Sequence, residues 1–490
     1  MIAINMKTHL LIYTFLFLSA ACSRDEWEPE VTDWQTEQHA TEGVNAVYAA
    51  LQKEGAYGKW LYFAYDMRSD EGMTNKEEMT RFCNFTLGTD CEINRTIWHH
   101  HYQGIFRANQ VLKNVPHIAM QEDLKKRLLA EARFLRALFY FNLVSLYGNV
   151  PLVLEPLPAD ALPEMANAQQ VSNQIIADLK IAKEGLPLLH TPENAGRATR
   201  GAAAALLGKT YLQMHRWAEG EKELREVIES GIYDLMPSYK DNFTQTHENN
   251  RESVFEVQFG RSFTDETGKV TGQTAGNAWA WMLGPRGICR ADGQPTRWLF
   301  EEFQKERNKK GLTDERLLTT MFCDEPGVVV YGRPYREFYG SQYNELFWRK
   351  YTNSDGQNYE AESSGINIRV MRFAEVLLLY AEALNETGNT AAAYGFINRV
   401  RARASMRPLE QVAPGLSQQQ MRGQIAHERV VELAGEGVRF NDLKRWRLLC
   451  NQLQSNDIEF AYFQQGKSEL LPLPEAELKA NPNLRQNPGW

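Results

Sequence analysis

Residues that could bind phosphate occur at Gly208-Lys209-Thr210, which matches the end of a phosphate-binding loop. Ala203 stands where the first glycine of such a loop belongs, and the surrounding residues follow an Ala/Leu-rich helical pattern. Backbone amides inside a helix are already hydrogen-bonded, so they cannot cradle a phosphate. The segment therefore predicts a helix rather than a nucleotide site.

Histidines occur in two arrangements that suggest metal binding. His427-Glu428 resembles the start of a zinc-binding helix, but Val431 occupies the place of the second histidine. His99-His100-His101 are consecutive, and successive helix residues point ~100° apart, so the three rings cannot converge on one ion. We predict a solvated or partly packed helix surface there, and neither a metal ion nor a cofactor.

The sequence shows no motif of a catalytic site. No Gly-x-Ser-x-Gly nucleophile elbow is present, and the Cys and His residues fall on segments with the pattern of packed helices. A polysaccharide hydrolase, which uses a pair of carboxylates, is an open alternative. The chain has 62 Asp and Glu residues, and a sequence does not show how far apart they lie in space.

Two segments combine aromatic rings with polar side chains. Sugars present C–H faces and hydroxyl edges, so a sugar site needs both kinds of group. The first segment, 60–71, contains Asp66, Arg68 and Asp70 as candidate ligand-binding residues. The second contains the candidates Trp279, Trp281, Arg286, Tyr331, Tyr335, Tyr339, Tyr343 and Trp348.

Trp279 and Trp281 are the strongest of these candidates. Small residues surround them, and the i, i+2 spacing places both rings on one side of an extended loop. The alternative is that such aromatics belong to the core, and for Trp60, Phe63 and Trp98, which have apolar neighbours, we predict the core.

Helical periodicity dominates the remaining sequence. One helix begins near Ile93, and a longer one precedes Gly148 and Pro151. Helix pairs are predicted at 199–214 with 217–230 and at 368–387 with 391–404, and the Ala-rich stretch around Ala204 permits close packing. Paired helices with short turns predict a mainly α fold, a tetratricopeptide-like helical repeat superhelix.

The middle of the chain interrupts this pattern. The run 253–259 alternates and predicts a strand, and 261–357 is rich in Gly, Thr, Asn and aromatic residues with one clear helix at 296–304. We interpret 261–357 as a loop-rich, minor-β insertion, and long ordered loops are usually functional.

The charge and the cysteine content of the chain bear on its possible partners and disulfides. The net charge of −8 argues against nucleic acid, which requires a basic face. Six cysteines are present, and setting Cys22 aside leaves an odd number. Cys83 and Cys91 are close enough in sequence for a disulfide, with buried thiols as the alternative.

The N-terminus predicts export. Lys7 precedes the apolar run 10–18 and the small residues Ser19-Ala20-Ala21, so residues 1–21 are predicted to be a signal peptide that is too short to span a bilayer. Cys22 follows as in a lipoprotein box and is the predicted lipidation site, although an ordinary signal peptide with a nearby cysteine is the alternative. The polar, acidic segment 22–36 is predicted to be a tether.

Several segments in fixed order carry a family resemblance. They are 131–152, 366–385, 427–446, Leu471-Pro472-Leu473-Pro474 and Gln486-Asn487-Pro488-Gly489-Trp490. Together they resemble the RagB/SusD family of surface-exposed, nutrient-binding outer-membrane lipoproteins of Bacteroidetes. The resemblance extends over roughly the whole mature chain and is weakest in the middle, from about 261 to 357.

The resemblance implies a SusD-like fold and a non-catalytic function. The protein would capture a glycan outside the cell and deliver it to a SusC-like TonB-dependent transporter, with its site on an early and a mid-chain loop. A peptide ligand, as for RagB-type proteins, is the alternative. We expect one folded unit, 37–490, composed of a helical-repeat part (37–260), the insertion (261–357) and a C-terminal part with the family's hallmark (358–490).

Overall fold

The computed structural model describes residues 34–158, 160–260, 263–264, 270–272, 276–340, 344–456, 460 and 462–490. The predicted signal peptide, Cys22, nearly all of the predicted tether and Tyr343 lie outside the described residues. Within these ranges, no helix combines the length and apolar character needed to cross a membrane.

Helices of the first half pack on their neighbours in the chain. They and three two-residue strands are α1 (Glu37–Leu51), α2 (Trp60–Asp66), β1 (Gly72–Met73), α3 (Glu77–Cys83), α4 (Glu92–Asn114), α5 (Glu122–Tyr147), β2 (Val150–Pro151), β3 (Met165–Ala166), α6 (Ala168–Gly185), α7 (Arg200–Gln213) and α8 (Trp217–Glu229). From α4 to α8, each helix contacts the next. This nearest-neighbour packing confirms the predicted helical-repeat fold.

Local sequence signals explain where these helices begin and end. Thr199 caps α7, its hydroxyl accepting a hydrogen bond of 3.1 Å from the amide of Ala202. Gly148 follows α5 with a φ of 72°, which residues with a Cβ rarely adopt. The helices predicted from Ile93 onward and before Gly148 are therefore confirmed.

Small residues let α7 and α8 approach closely. A Cβ atom added to Gly208 would lie 2.7 Å from Cγ of Leu224 on α8. Ala204, on the same Ala-rich helix, is buried. The glycine of the apparent phosphate-loop motif thus serves helix packing, and Lys209 forms an ion pair of 2.8 Å with Glu375.

The middle of the chain contains more short elements than the sequence predicted. They are β4 (Ser253–Val257), β5 (Phe263–Thr264), β6 (Val270–Gly272), α9 (Trp279–Leu283), β7 (Gln294–Pro295), α10 (Arg297–Gln304), α11 (Glu315–Thr320), β8 (Met321–Phe322), β9 (Val329–Val330), β10 (Arg333–Pro334), α12 (Tyr335–Tyr339) and β11 (Phe347–Trp348). The one predicted helix, α10, is confirmed, and Thr296 caps it.

Helices dominate again in the last third. The elements are β12 (Ile368–Arg372), α13 (Phe373–Glu386), α14 (Thr390–Arg403), α15 (Leu409–Val412), α16 (Gln418–Leu433), α17 (Arg439–Arg445), α18 (Leu449–Asn456) and α19 (Glu475–Ala480). One cluster of buried apolar side chains extends from Ala40 to Leu484, so the same core includes both ends of the described chain.

A strand replaces the predicted start of the helix at 368. β12 pairs antiparallel with β4, with Ile368 opposite Val257 and Arg372 opposite Ser253. The backbone groups of the predicted strand β4 need a partner inside the protein, and β12 supplies it. The helix begins only at Phe373, so the prediction of a helix over 368–372 was wrong.

Ala204→Leu should destabilise the protein by about 1–3 kcal/mol, because the larger side chain overpacks a buried position of the helical repeat. Thermal unfolding would measure the change. Ala218→Leu on the exposed surface of α8 is the matched control, and its midpoint should stay close to that of the parent. Equal midpoints for both variants would contradict the packing of α7.

Candidate functional site

Charged residues of the C-terminal segments lie in the interior. Arg372 binds Glu432 at 2.5 Å, Glu436 at 2.7 Å and Glu252 at 2.8 Å, and each of these side chains is at most 4% exposed. Burial alone would raise the pKa of Glu432, but the charges of nearby arginines outweigh it and hold this pKa well below its usual value. These residues are used in packing and are not available to a ligand.

The early candidates are also buried. Asp70 accepts two hydrogen bonds of 2.8 Å from Arg439, and Arg68 donates to the carbonyl of Ser468 at 2.8 Å. Asp66 accepts from the amide of Gly437 at 2.9 Å, and burial raises its pKa to about 8. The prediction of Asp66, Arg68 and Asp70 as ligand contacts is therefore wrong for this structure, because these side chains anchor the early segment to the C-terminal part.

Trp279 and Trp281 lie on helix α9, not on an extended loop. Residues two apart on a helix point ~200° away from each other, so the two rings face opposite sides. Trp279 is 4% exposed, and its ring meets that of Tyr62 edge-on at 5.8 Å. Trp281 is partly exposed. The prediction that both rings share one face is wrong, and Trp281 alone stays a candidate for ligand contact.

The tyrosine candidates also divide into buried and partly exposed residues. Tyr335 is 2% exposed, so it is a core residue, contrary to its prediction as a ligand contact. Tyr339 is partly exposed, stacks on Phe347 with a centroid distance of 5.5 Å, and donates its hydroxyl to the carbonyl of Arg286 at 2.7 Å. Of the other mid-chain candidates, Tyr331 and Trp348 are buried.

Strand pairing joins the early and mid-chain segments. β1 pairs antiparallel with β7, with Met73 opposite Gln294. The amide of Thr296 donates to the carbonyl of Glu71 at 2.9 Å. The two segments singled out in the sequence therefore meet. They do so through their backbones and the ring contact of Tyr62 with Trp279, and not through the polar side chains predicted from the early segment.

Exposed and partly exposed residues beside this junction form a surface that we call the site face. Its residues are Lys76, Trp281, Arg286, Arg290, Tyr339 and Glu345. Arg286 binds Glu345 at 3.1 Å, and Arg290 binds the buried Asp292 at 2.7 Å. The amide of Arg290 donates to the carbonyl of Trp281 at 3.0 Å, so the charged and aromatic parts are adjacent. Flat rings next to hydrogen-bond donors are the groups that a sugar requires.

Histidine and cysteine positions do not form a metal centre in the described residues, where no cluster of three or more His, Cys, Asp or Glu has suitable geometry. His427 contacts Glu302 at 2.7 Å. His100 and His101 are buried, contrary to the predicted surface, and burial lowers the pKa of His101 to about 4.

The disulfide considered between Cys83 and Cys91 is not formed, and both residues are thiols. Cys83 ends α3 inside the core, whereas Cys91 caps the start of α4. The alternative of buried thiols fits Cys83, and Cys91 is partly exposed.

A groove that is lined by other residues was not identified from the sequence. This cavity of about 580 Å³ is lined by His215, Trp217, Glu386, Arg422, Trp446 and Leu448, among others. A second cavity of about 410 Å³ adjoins it and shares Gly423, Ala426 and Leu448. The two tryptophans are far apart in sequence, so no local pattern indicates that they line one groove.

Comparison with known proteins shows similarity along nearly the whole chain. Residues 251–490 match a family model described as the SusD family, and residues 25–212 match one described as starch-binding associating with outer membrane. Two SusD-like proteins of Formosa agariphila are 26% and 28% identical, and the alignments cover 98% and 99% of this chain and 98% and 100% of theirs.

Solved structures show the same likeness. A SusD superfamily protein from Bacteroides vulgatus superposes with a TM-score of 0.85 at 26% identity, covering 94% of this chain and 100% of that one. A laminarin-binding SusD-like protein superposes with a TM-score of 0.77 at 29% identity, covering 93% of this chain and 100% of that one.

Trp279→Ala should lower the free energy of unfolding by about 3–5 kcal/mol, because it removes a buried ring that packs on Tyr62. Trp281→Ala is the matched control on the same helix and should cost far less, since its ring is partly exposed. Chemical denaturation of both variants measures the difference. A smaller loss for Trp279→Ala than for Trp281→Ala would reverse our assignment of the inward ring.

Proposed function

We infer that this chain, which belongs to the SusD family, is a glycan-binding protein of the cell surface. The observation that carries this proposal is the full-length likeness to a laminarin-binding SusD-like protein, 29% identical and covering 93% of this chain. A common fold over that length supports a common function, and the exposed groups of the site face supply the contacts with the glycan.

The proposed binding surface is the site face. Trp281 offers a partly exposed ring for stacking on a sugar, and Arg286, Arg290 and Glu345 offer hydrogen bonds to hydroxyl groups. Tyr339 is held in place by its stacking on Phe347 and its hydrogen bond to Arg286. A ligand would therefore meet groups that are already positioned, which reduces the entropy lost on binding.

Binding without turnover is part of the proposal. Two buried carboxylates, Asp70 and Glu432, are paired with Arg439 and Arg372 and are not available as the proton donor of a hydrolase. The matching family description speaks of binding and of association with the outer membrane. These observations favour capture of a polysaccharide over its cleavage.

Delivery to a transporter completes the proposed function. Membership of the family implies a SusC-like TonB-dependent channel as the partner, with this protein held at the outer membrane by lipid on Cys22 and facing outward. Each buried acyl CH₂ contributes ~0.8 kcal/mol to membrane binding, so several acyl chains provide firm anchoring.

Trp281→Ala should weaken binding of a recognised glycan by at least ~0.5–1.5 kcal/mol, because a stacking ring is lost. Isothermal titration with laminarin and a panel of other polysaccharides would measure the affinity. Trp217→Ala in the groove is the control, since that tryptophan is also partly exposed but lies outside the site face. It should leave the affinity unchanged.

The reverse pattern, with Trp217→Ala weakening binding and Trp281→Ala neutral, would move the ligand to the groove and contradict the site face. Preference for peptides over every polysaccharide would contradict a glycan ligand. Release of reducing ends that follows the protein through purification would contradict binding without turnover.

Cys22→Ser should abolish fatty-acid labelling of the protein in cells, because the serine hydroxyl cannot replace the thiol that carries the lipid. Metabolic labelling followed by gel analysis is the measurement. Cys450→Ser controls for loss of a cysteine as such and should retain the label. Label that persists in Cys22→Ser would refute anchoring at this residue.

A further inference from the structure

Charge on the site face differs in sign from the charge of the whole chain. The protein carries −8 overall. Between 276 and 297, however, the charged residues are Arg286, Arg290, Arg297 and a single acid, Asp292. The three arginines are exposed, whereas Asp292 is 1% exposed. This stretch therefore presents positive charge to solvent.

The buried carboxylate of Asp292 holds two cations from different parts of the chain. Its Oδ2 atom lies 2.7 Å from Nε of Arg290, and its Oδ1 atom lies 3.8 Å from Nζ of Lys76. The side chains of Arg290 and Lys76 are 56% and 43% exposed. One carboxylate faces two cations, so one positive charge of this trio is not balanced within it.

Two further acids, Glu345 and Glu77, accompany these cations. Glu345 pairs with Arg286 at 3.1 Å, and Glu77 is exposed and follows Lys76 in sequence. Counting these acids and Asp292 against Lys76, Arg286, Arg290 and Arg297 leaves three carboxylates and four cations. Within this set of seven residues, the cations outnumber the carboxylates by one.

The guanidinium of Arg290 also has donors for an anion. Its Nε atom lies 2.7 Å from Oδ2 of Asp292, and the two terminal nitrogens of the group remain as further donors. A guanidinium edge matches the planar spacing of two oxygen atoms on a carboxylate or sulfate group. The backbone amide of Arg290 donates to the carbonyl of Trp281, so an aromatic residue and a cation are neighbours at this surface.

We propose that the glycan bound at the site face is anionic, a polysaccharide bearing carboxylate or sulfate groups, with the pair Lys76 and Arg290 taking the charged substituent while Trp281 stacks on the sugar ring. This inference rests on the proposed glycan-binding function and names the class of ligand. It distinguishes this chain from a protein that selects a neutral glucan such as laminarin.

Titrations with three polysaccharides test the proposal. Alginate carries carboxylates, dextran sulfate carries sulfates, and laminarin is neutral, so the arms separate the two anionic groups from each other and from sugar alone. We expect one or both anionic polymers to bind more tightly than laminarin. Their affinity should fall as salt rises from 50 to about 300 mM, because exposed charges are screened over a Debye length of about 10 Å or less.

Arg290→Gln and Lys76→Gln should each weaken binding of the anionic polymer roughly two- to fivefold at low salt, the range for an exposed ion pair, and reduce its salt dependence. Arg251→Gln is the matched control: Arg251 is 55% exposed and paired with Asp234 at 2.6 Å, as Arg290 is 56% exposed and paired with Asp292. It should leave affinity unchanged.

The outcomes separate this inference from the proposed function. Tighter binding of laminarin than of either anionic polymer would overturn the inference and leave glycan binding intact. Equal affinity of Arg290→Gln, Lys76→Gln and Arg251→Gln for the anionic polymer would also overturn it. Failure of all three polysaccharides and of a wider neutral panel to bind would instead refute the proposed function itself.

Discussion

A buried network of ion pairs is the constraint on which the arrangement of this protein depends. Its members are Glu252, Arg316, Lys350, Arg372, Arg403, Glu428, Glu432 and Glu436. A buried charge without its partner costs about 3–5 kcal/mol, so β12, α11, α14 and α16 must come together in one arrangement. We therefore expect the network to favour one arrangement of these elements over others.

The network also positions the segment beneath the site face. Glu436 binds Arg372 and Lys350, and it lies between Gly435 and Gly437, whose φ angles are 73° and 70°. A Cβ atom on Gly437 would lie 2.7 Å from the ring of Tyr62, which itself packs on Trp279. Charges in the C-terminal part therefore determine, through backbone and ring contacts, where α9 and Trp281 are placed.

The sequence predicted elements with local signals and failed where the partner is distant. Helical periodicity and caps identified the α4–α8 region and α10, because these signals lie within one element. Asp70 looked like a surface carboxylate since nothing nearby in sequence reveals that Arg439 covers it. Helix α9 has 5 residues, too few to show a helical period, so the opposite orientation of its two tryptophans was not visible. The strand β12 was missed because its partner β4 lies far upstream.

The ion pairs of the interior affect which residues determine ligand specificity at the surface. Buried arginines and carboxylates largely neutralise each other and lie far from solvent, so they contribute little to the field that a ligand meets. The charge of the site face is then determined by a few exposed residues, among them Arg286, Arg290 and Lys76. If the proposal holds, substitutions at such positions change the preferred ligand charge and leave the buried network of ion pairs in place. On this proposal, the buried ion pairs fix the helical framework, and a few exposed residues determine the charge of the glycan that it binds.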